Sequence, residues 1–403
     1  MLRVLTSNRA ISLQNVAIDI VKTAHKYGVN AVLGNRITYS YELRRSGDDL
    51  IVVMAVDPLV ASPWMLLCRD CCKGGVRNLF YGTIEGRVNT YFLRDWMRDV
   101  VFVANSNYVR DKLVEAGLNV VDVVHHGIDL SIVSQAINMR YLGIEYMRKL
   151  GIDPSKHVVV TTISNSHPRK GLAWYDSVIE LVGMRDGSIK FLVITEEKGL
   201  KYFSRRGNLV VSTDFGKLPR ITILSIIATS HILAIPSLSE GFGLPALEAM
   251  ALGTPVVHAE LPPLMEFSKG WSVPVKEILY FDKAEVGPSG IIYEQYMYDV
   301  KEFSEVILQV VDILRNKKEE YINYRIRSYE EVLKHSIFKV YSKLLKLMGY
   351  SVVVDESSTE YKYDMTYIPT VPPPQPPIPQ PEKVDEAVIL EDLVGGVFDV
   401  QDQ

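Results

Sequence analysis

Short apolar runs alternate, over most of this chain, with segments whose apolar residues recur every three or four positions. The short runs predict buried strands, and the recurring pattern predicts amphipathic helices. Because strand and helix alternate, we predict an α/β protein with doubly wound parallel sheets, in which the second half repeats the pattern of the first. The predicted strands of the first half are Arg3–Ser7, Asn30–Leu33, Leu50–Val56, Val76–Tyr81, Val100–Asn105 and Val120–His125. Those of the second half are Val158–Ser164, Lys190–Thr195, Asn208–Ser212, His231–Pro236, Pro255–Ala259 and Gly290–Tyr293.

Helical patterns fill the intervals between these strands. Ser106 is a candidate N-cap, because its hydroxyl oxygen can accept a hydrogen bond from a free N–H group of the first turn. The predicted helices include Leu13–Tyr27, Ser106–Ala116, Gly171–Val182, Ile221–Thr229, Val300–Arg315 and the helical stretch Tyr324–Gly349, and Met139–Leu150 lies near the junction of the two halves.

The composition changes after Tyr350. Eight prolines lie between Pro369 and Pro381, which predicts a polyproline II or disordered linker. The acidic end from Glu382 to Gln403 is expected to be solvated and disordered, with folding on a partner as the alternative. We therefore expect residues 351–403 to be dispensable for the fold.

Composition and charge exclude several classes of protein. The chain has 403 residues, 47% of them apolar, and a net charge of −4, which gives no reason to expect a nucleic-acid partner. The longest apolar stretch, from Ile221 to Leu238, is interrupted by polar residues and Pro236 and predicts a helix and a strand rather than a membrane span. The first residues predict a strand rather than a signal peptide. We expect a cytoplasmic protein and leave peripheral membrane contact open.

The three cysteines, Cys68, Cys71 and Cys72, are clustered. No second pair and no nearby histidine completes a tetrahedral metal site around them. They are interpreted as reduced thiols in or beside a helix, and no metal site is predicted.

The segment from Ser239 to Val257 carries the most chemical information. Its carboxylates Glu240 and Glu248 lie eight residues apart, on either side of the turn Gly241-Phe242-Gly243-Leu244. Pro245 suits the first position of a helix, and Gly253 suits the left-handed position after its end. The glycines let the backbone approach a ligand, and free N–H groups at the helix start favour an anion. This arrangement predicts two carboxylates that hold hydroxyl groups on either side of a bound phosphate.

The segment resembles the signature of the retaining, nucleotide-sugar-dependent glycosyltransferases of family 4 (glycosyl transferases group 1), which have the GT-B fold. The resemblance implies two Rossmann-like domains that face a cleft. Residues 1–138 would form a short, divergent acceptor-side domain and residues 139–350 the nucleotide-sugar domain. The last helix of the nucleotide-sugar domain would cross back onto the first domain, and residues 351–403 would form a disordered tail.

The same resemblance assigns roles to residues. Glu248 would bind the ribose and Glu240 the donor sugar, and the N–H groups of Phe242, Gly243 and Leu244 would bind sugar or phosphate oxygens. The loop Ser164–Gly171 resembles the phosphate-binding loop of the family. Lys170 matches its lysine, Asn165 stands where its first arginine usually lies, and Arg169 could supply the second cation. Phe215-Gly216 resembles the turn beside the nucleotide base.

The first domain matches the family less well. The loop Thr6–Ala10 contains no glycine, and Val56-Asp57-Pro58 contains no histidine where the family usually has one. His125-His126-Gly127 is interpreted as mainly architectural, with His126 as a possible cleft residue. Asp57 and Glu85 follow predicted strands and are candidate carboxylates for orienting the acceptor. The alternative is that Asp57 caps the next segment and that Glu85 is a solvated turn residue.

The predicted function is retaining transfer of a hexose from a UDP- or GDP-sugar to a glycan, lipid or protein acceptor. The family implies no cofactor and no required metal, because cationic side chains and a helix dipole neutralise the departing diphosphate. The alternative is a glycosyltransferase-like binding or scaffold protein without turnover, which the departures in the first domain and at Asn165 favour.

Overall fold

The computed structural model describes residues 1–7, 10–284, 287–354 and 369–377. In chain order its strands are β1 (Leu2–Thr6), β2 (Ala31–Gly34), β3 (Asp49–Ala55), β4 (Asn78–Thr83), β5 (Gly86–Val88), β6 (Val101–Ala104), β7 (Asn119–Val123), β8 (Val158–Ile163), β9 (Ile189–Ile194), β10 (Leu209–Ser212), β11 (Ile232–Ile235), β12 (Val256–Ala259), β13 (Trp271–Val273), β14 (Val275–Ala284) and β15 (Gly287–Tyr298). Its helices are α1 (Ile11–Lys26), α2 (Ser40–Ser46), α3 (Ser62–Lys73), α4 (Asn107–Glu115), α5 (Leu130–Asn138), α6 (Arg140–Lys149), α7 (Leu172–Gly183), α8 (Arg220–Thr229), α9 (Leu244–Leu252), α10 (Pro262–Met265), α11 (Val300–Asn316), α12 (Lys318–Lys334) and α13 (Ile337–Leu347).

Two six-stranded parallel sheets form the body of the protein. The first has the strand order β2-β1-β3-β4-β6-β7, and the second has the order β10-β9-β8-β11-β12-β13. Strands such as β8 and β11 are apolar and buried along most of their length, because helices cover both faces of a doubly wound sheet. The predicted α/β class with two doubly wound sheets is confirmed.

Most predicted elements are found within one or two residues of their expected bounds. Ser106 is the N-cap of α4, and its Oγ accepts a hydrogen bond from the N–H of Val109 at 3.1 Å. The prediction for Gly290–Tyr293 is wrong in its placement. These residues belong to the long strand β15, which pairs antiparallel with β14, and β13 is the sixth strand of the second sheet.

The hairpin β14–β15 connects the two halves of the chain. β15 pairs antiparallel with β5 of the first half, so that Ile291 lies opposite Val88 and Tyr293 opposite Gly86. A Cβ atom on Gly86 would lie 2.1 Å from the carbonyl oxygen of Ile292, so only glycine allows this close approach. A small three-stranded sheet therefore joins the domains beside the cleft.

The C-terminal helical stretch is two helices rather than one. The chain bends between α12 and α13, where the N–H of Ile128 donates to the carbonyl oxygen of His335 (2.8 Å) and the N–H of Ile337 to that of Ile128 (3.1 Å). α13 then buries Val340, Leu344 and Leu345 with apolar residues of α1 and of the first sheet. The expected return of the last helix to the first domain is confirmed.

Residues 369–377, here called the tail strap, lie against the second domain. The carbonyl oxygen of Thr370 lies 3.0 Å from His231 Nε2, and that of Pro372 accepts from Arg315 Nε at 2.7 Å. Val371 packs against the core. The N–H of Gln375 donates to Asp186 Oδ1 at 3.2 Å, and its carbonyl oxygen accepts from the N–H of Gly187 at 3.1 Å. The sequence predicted a polyproline II or disordered linker here, and residues 369–377 of it contact the second domain, because proline fixes an extended shape whose carbonyl groups can still accept hydrogen bonds. The acidic end, Glu382 to Gln403, lies outside the described residues, as do Asn8 and Arg9 of the first loop.

Two smaller expectations concern the cysteines and the apolar stretches. Cys68 and Cys71 are buried in α3 and Cys72 is exposed, and all three are free thiols, as predicted. Among the described residues, no helix has both the length and the apolar character needed to cross a membrane.

Candidate active site

The two predicted loops of the second domain lie at the same point of its sheet. The strand order reverses between β8 and β11, so their following helices diverge and leave a crevice at the carboxyl ends of the strands. The loop after β8 contains Arg169 and Lys170 and is here called the basic loop. The loop after β11 contains Ser239–Leu244 and is here called the glycine loop. The topology therefore brings the two loops together although some 70 residues separate them.

The basic loop is a short 3₁₀ turn, Pro168–Lys170, that leads into α7. Gly171 follows it with φ of 67°, and a Cβ atom there would lie 2.0 Å from the carbonyl oxygen of Pro236. The ring of His167 accepts a hydrogen bond from the N–H of Arg169 at 3.2 Å. Burial, with the nearby cations Arg169 and Lys170, lowers the pKa of His167 to about 4, so this ring is neutral at pH 7.

Glu240 and Lys170 form a buried ion pair. The Nζ of Lys170 donates to Oε1 of Glu240, and the hydroxyl of Ser237 donates to the same oxygen at 2.7 Å. Burial alone would raise the pKa of Glu240, but Lys170 and Arg169 outweigh it and hold the pKa below its usual range. Burial and the like charge of Arg169 lower the pKa of Lys170. Glu240 is therefore an ionised carboxylate next to two cationic groups.

Arg169 makes its ion pair with the other domain. Its Nη2 lies 3.0 Å from Oε1 of Glu85, which lies between β4 and β5, and its Nη1 donates to the carbonyl oxygen of Ser239 at 3.3 Å. The side chains of Arg169 and Glu85 are only 13% and 17% exposed. Neighbouring side chains in the basic loop thus contact different carboxylates, Lys170 that of Glu240 and Arg169 that of Glu85.

The glycine loop packs directly on the first domain. A Cβ atom on Gly241 would lie 2.1 Å from Oγ1 of Thr83, and the carbonyl oxygen of Gly241 accepts from the hydroxyl of Ser106 at 3.0 Å. Gly243 has φ of 97° and is the N-cap of α9. Pro245 is the second residue of α9, one position later than expected, and Gly253 ends that helix in the left-handed conformation as predicted. The first N–H groups of α9 point out of its amino end, where a helix offers them no internal partner.

Phe242 fills an aromatic cluster at the domain boundary. It stacks on Phe267 with ring centroids 4.6 Å apart, and the rings of His125, His126 and His335 surround it. The Phe242 side chain therefore anchors the glycine loop.

Both histidines predicted to be architectural have structural partners. Nε2 of His125 lies 2.9 Å from Glu266, whose carboxylate also accepts from the N–H groups at the start of α4. His126 lies between the hydroxyl of Tyr81 (2.9 Å) and the amide of Asn105 (3.0 Å). Burial, with a smaller contribution from His125, lowers the pKa of His126 to about 3, so it is neutral at pH 7.

Glu248 is mostly buried on α9 beside an ion pair that crosses the cleft. Nη2 of Arg220 lies 3.8 Å from Glu248 Oε1, and Nη1 of Arg220 contacts both oxygens of Asp19 at 3.1 and 3.2 Å. Burial raises the pKa of Glu248 above its usual range although Arg220 opposes this. Burial likewise raises the pKa of Asp19 to about 6, against the effect of Arg220.

Asn165 and Gly216 lie on turns beside these groups. The Oδ1 of Asn165 accepts from the N–H of His167 at 3.2 Å, so its side chain shapes the basic loop. Gly216 has φ of 77°, and a Cβ atom there would lie 2.8 Å from the side chain of Ile11 in α1. The turn at Gly216 therefore faces the first domain.

The two candidate acceptor carboxylates have different surroundings. Oδ1 of Asp57 accepts from the N–H groups of Leu59 (2.8 Å) and Val60 (3.1 Å), so its contacts favour the capping alternative. Glu85 is not a solvated turn residue, because its carboxylate pairs with Arg169. Of the two, the structure brings only Glu85 to the basic loop.

Sequence reasoning missed Asp19 and Arg220. One signal was available for Asp19, because it lies beside the apolar residues Val16 and Ile20 on the predicted helix of α1, where a carboxylate needs a partner. No local pattern marks Arg220, whose partners belong to α1 and α9. Within the described residues, no group of three or more His, Cys, Asp or Glu side chains is arranged to hold a metal ion.

The two Rossmann-like domains form a GT-B fold. Residues 156–279 match the model of the family described as Glycosyl transferases group 1. An uncharacterized glycosyltransferase of Sulfolobus islandicus rod-shaped virus 1 is 28% identical over 292 residues, which cover 70% of this chain and 83% of the relative. The second domain therefore resembles the group 1 glycosyltransferases, and the chain is similar to the viral relative over most of its length.

More distant relatives match parts of the chain or only its fold. The D-inositol 3-phosphate glycosyltransferase of Rhodococcus jostii is 30% identical over 176 residues, 40% of this chain but only 37% of that protein. A UDP-forming trehalose-phosphate synthase from Burkholderia xenovorans superposes with a TM-score of 0.63 at 11% identity, over 86% of this chain and 98% of the other. The Anabaena protein HepE, solved in complex with UDP and glucose, gives a TM-score of 0.59 at 11% identity, over 87% and 100%.

Proposed function

We propose that this glycosyltransferase moves a hexose, with retention, from a UDP- or GDP-sugar to a glycan, lipid or protein acceptor. The observation that carries the proposal is the buried cluster of Lys170, Arg169 and Glu240 at the crevice of the second sheet, beside the amino end of α9. Two cations and a helix start suit a diphosphate, and a carboxylate next to them suits sugar hydroxyl groups. UDP-sugars are the first donors to test, because HepE was solved with UDP and the trehalose-phosphate synthases are UDP-forming.

In the proposed reaction the bond between the anomeric carbon and the phosphate oxygen breaks, and its electron pair stays on the diphosphate. Lys170 and Arg169 stabilise the charge that develops there. The acceptor hydroxyl attacks the same face of the sugar and gives its proton to an oxygen of the departing diphosphate. Glu240 holds the donor sugar and Glu248 holds the ribose, so that the reacting atoms stay aligned. No metal ion has a part in this proposal.

The first test is a donor screen. The full-length protein is heated with UDP-glucose, UDP-galactose, UDP-N-acetylglucosamine and GDP-mannose, because a bound ligand raises the melting temperature by mass action. Donors that bind are then assayed for hydrolysis and transfer, and NMR of the product gives its anomeric configuration. Binding without hydrolysis or transfer would favour the scaffold alternative, and an inverted product would contradict retention.

The variant Lys170→Ala tests the proposed role of this lysine at the diphosphate. It should lower turnover at saturating donor by roughly a hundredfold or more, the scale for losing one preorganised charge-stabilising group. Lys276→Ala is the control, since it removes a half-exposed lysine that pairs with Glu302 at the surface. Near-normal turnover in the Lys170 variant would show that the diphosphate is bound elsewhere.

A further inference from the structure

Glu85 lies where a ligand of Arg169 is expected. The carboxylate comes from the first domain and contacts Nη2 of Arg169, and Nη1 of the same arginine donates to the carbonyl oxygen of Ser239. Guanidinium groups bind carboxylates and phosphates with the same planar geometry. An oxygen of Glu85 therefore fits the position that a phosphate oxygen would take on this arginine.

Two contacts fix the backbone at Glu85. Its carbonyl oxygen accepts a hydrogen bond from the hydroxyl of Ser239 in the glycine loop, and the next residue, Gly86, pairs with Tyr293 of β15. The contact with Arg169 is thus built into the domain boundary, unlike the exposed ion pairs of long surface side chains, which contribute little. Arg169 and Glu85 are both mostly buried, so each side chain stabilises the charged form of the other.

We propose that Glu85 occupies the phosphate position on Arg169 in the donor-free protein and is displaced when the diphosphate binds. This inference rests on the proposed function. Two anions compete for one buried cation, so the donor binds only when the carboxylate withdraws. The apparent dissociation constant is then the intrinsic one divided by the fraction of molecules with a free Arg169. Because Glu85 belongs to the first domain, its displacement also breaks a contact between the two domains when the donor binds.

The variant Glu85→Gln removes the competing charge and keeps the size of the side chain. Calorimetric titration of the full-length protein with UDP and with GDP should show affinity that is about tenfold higher for the nucleotide that binds, within the range of coupling between contacting groups. The control is Glu42→Gln, which removes the same charge from an exposed position on α2 of the same domain, where the carboxylate contacts Thr38. Its affinity should equal that of the wild type.

A double-mutant cycle separates displacement from a general electrostatic effect. In an Arg169→Met background, Glu85→Gln should change UDP or GDP affinity by less than about twofold, because the shared cation is gone. Glu85→Asp keeps the charge but withdraws it by one methylene group, so it should give a smaller gain and serves if the Gln variant does not fold.

Each outcome decides the inference. Higher affinity in Glu85→Gln that disappears in the Arg169→Met background supports it, and so does binding in this variant when the wild type binds too weakly to measure. Unchanged or lower affinity in a folded Glu85 variant, with wild-type binding intact, overturns this inference alone. A gain that persists without Arg169 also overturns it. If neither nucleotide binds the wild type or any Glu85 variant, the proposed function fails and the inference fails with it.

Discussion

At the scale of single residues, the sequence predicted the site groups that belong to one domain. Glu240 and the two cations meet because a strand-loop-helix order at a known switch point places their loops together, and this order is visible in the sequence. The partners Glu85 and Asp19 were not predictable in the same way. They contact Arg169 and Arg220 across the boundary between two domains, and no periodicity along the chain encodes how two domains meet.

Glu248 provides the prediction at this scale. The variant Glu248→Ala should weaken binding of UDP or GDP by about 1.5–3 kcal/mol, the range for losing a hydrogen bond to a charged group. The fold should survive, because Arg220 keeps its ion pair with Asp19 at 3.1 Å. Calorimetry measures the change, with Glu145→Ala on the exposed surface of α6 as the control. A folded Glu248 variant that binds the nucleotide as tightly as the wild type would contradict the proposed ribose contact.

At the scale of elements, the parallel strands were predictable and the hairpin β14–β15 was not. Buried parallel strands are continuous apolar runs bounded by turns, which single-sequence patterns detect. In β14 four consecutive apolar residues, Ile278 to Phe281, are all partly exposed. Apolar and polar residues therefore do not alternate along this part of the strand. The last partner of this sheet is the three-residue strand β5, some 200 positions earlier in the chain. Pairing between strands so far apart in the sequence depends on the finished fold.

The buried carboxylate of Glu294 should hold this hairpin on the first domain. It accepts from Arg87 Nε and Lys112 Nζ, both at 2.7 Å, and from the hydroxyls of Tyr108 and Tyr296, both at 2.9 Å. Burial would raise its pKa, but the hydrogen bonds from Lys112 and Arg87 outweigh burial and lower it.

The variant Glu294→Ala leaves the mostly buried Lys112 with only a 3.9 Å contact to the exposed carboxylate of Glu115. We expect a loss of about 2–3 kcal/mol in the free energy of unfolding, somewhat below the cost of breaking a fully buried pair because Arg87 is half-exposed. Urea unfolding gives the loss, and limited proteolysis should show earlier cleavage in the hairpin. The exposed pair Arg185–Glu305 supplies the control Glu305→Ala, with an expected change below about 1 kcal/mol. Equal losses in the two variants would show that Glu294 does not hold the hairpin.

At the scale of the whole molecule, the glycine loop, the hairpin and the returning helix α13 are among the contacts that join the two doubly wound domains. The returning helix was predicted from its position in the chain, whereas the tail strap was not. A proline-rich segment has no hydrophobic period, and its attachment here depends on backbone carbonyl groups that any sequence possesses. The strap contacts the amino ends of β9 and β11, opposite the end of the sheet that carries Lys170 and Glu240.

This position leads to the prediction for the tail. A chain that ends at Val354 should lose about 1–3 kcal/mol of stability relative to a chain that ends at Pro377, since burial of Val371 and Pro372 and the hydrogen bonds to His231 and Arg315 disappear. Both chains should bind UDP or GDP equally, because the strap lies at the opposite end of the strands from the site. Urea unfolding and calorimetry on the two chains and the full-length protein measure both quantities. Equal stability of the two shortened chains would show that the strap does not stabilise the second domain, and weaker nucleotide binding in the shorter chain would show that it acts on the site.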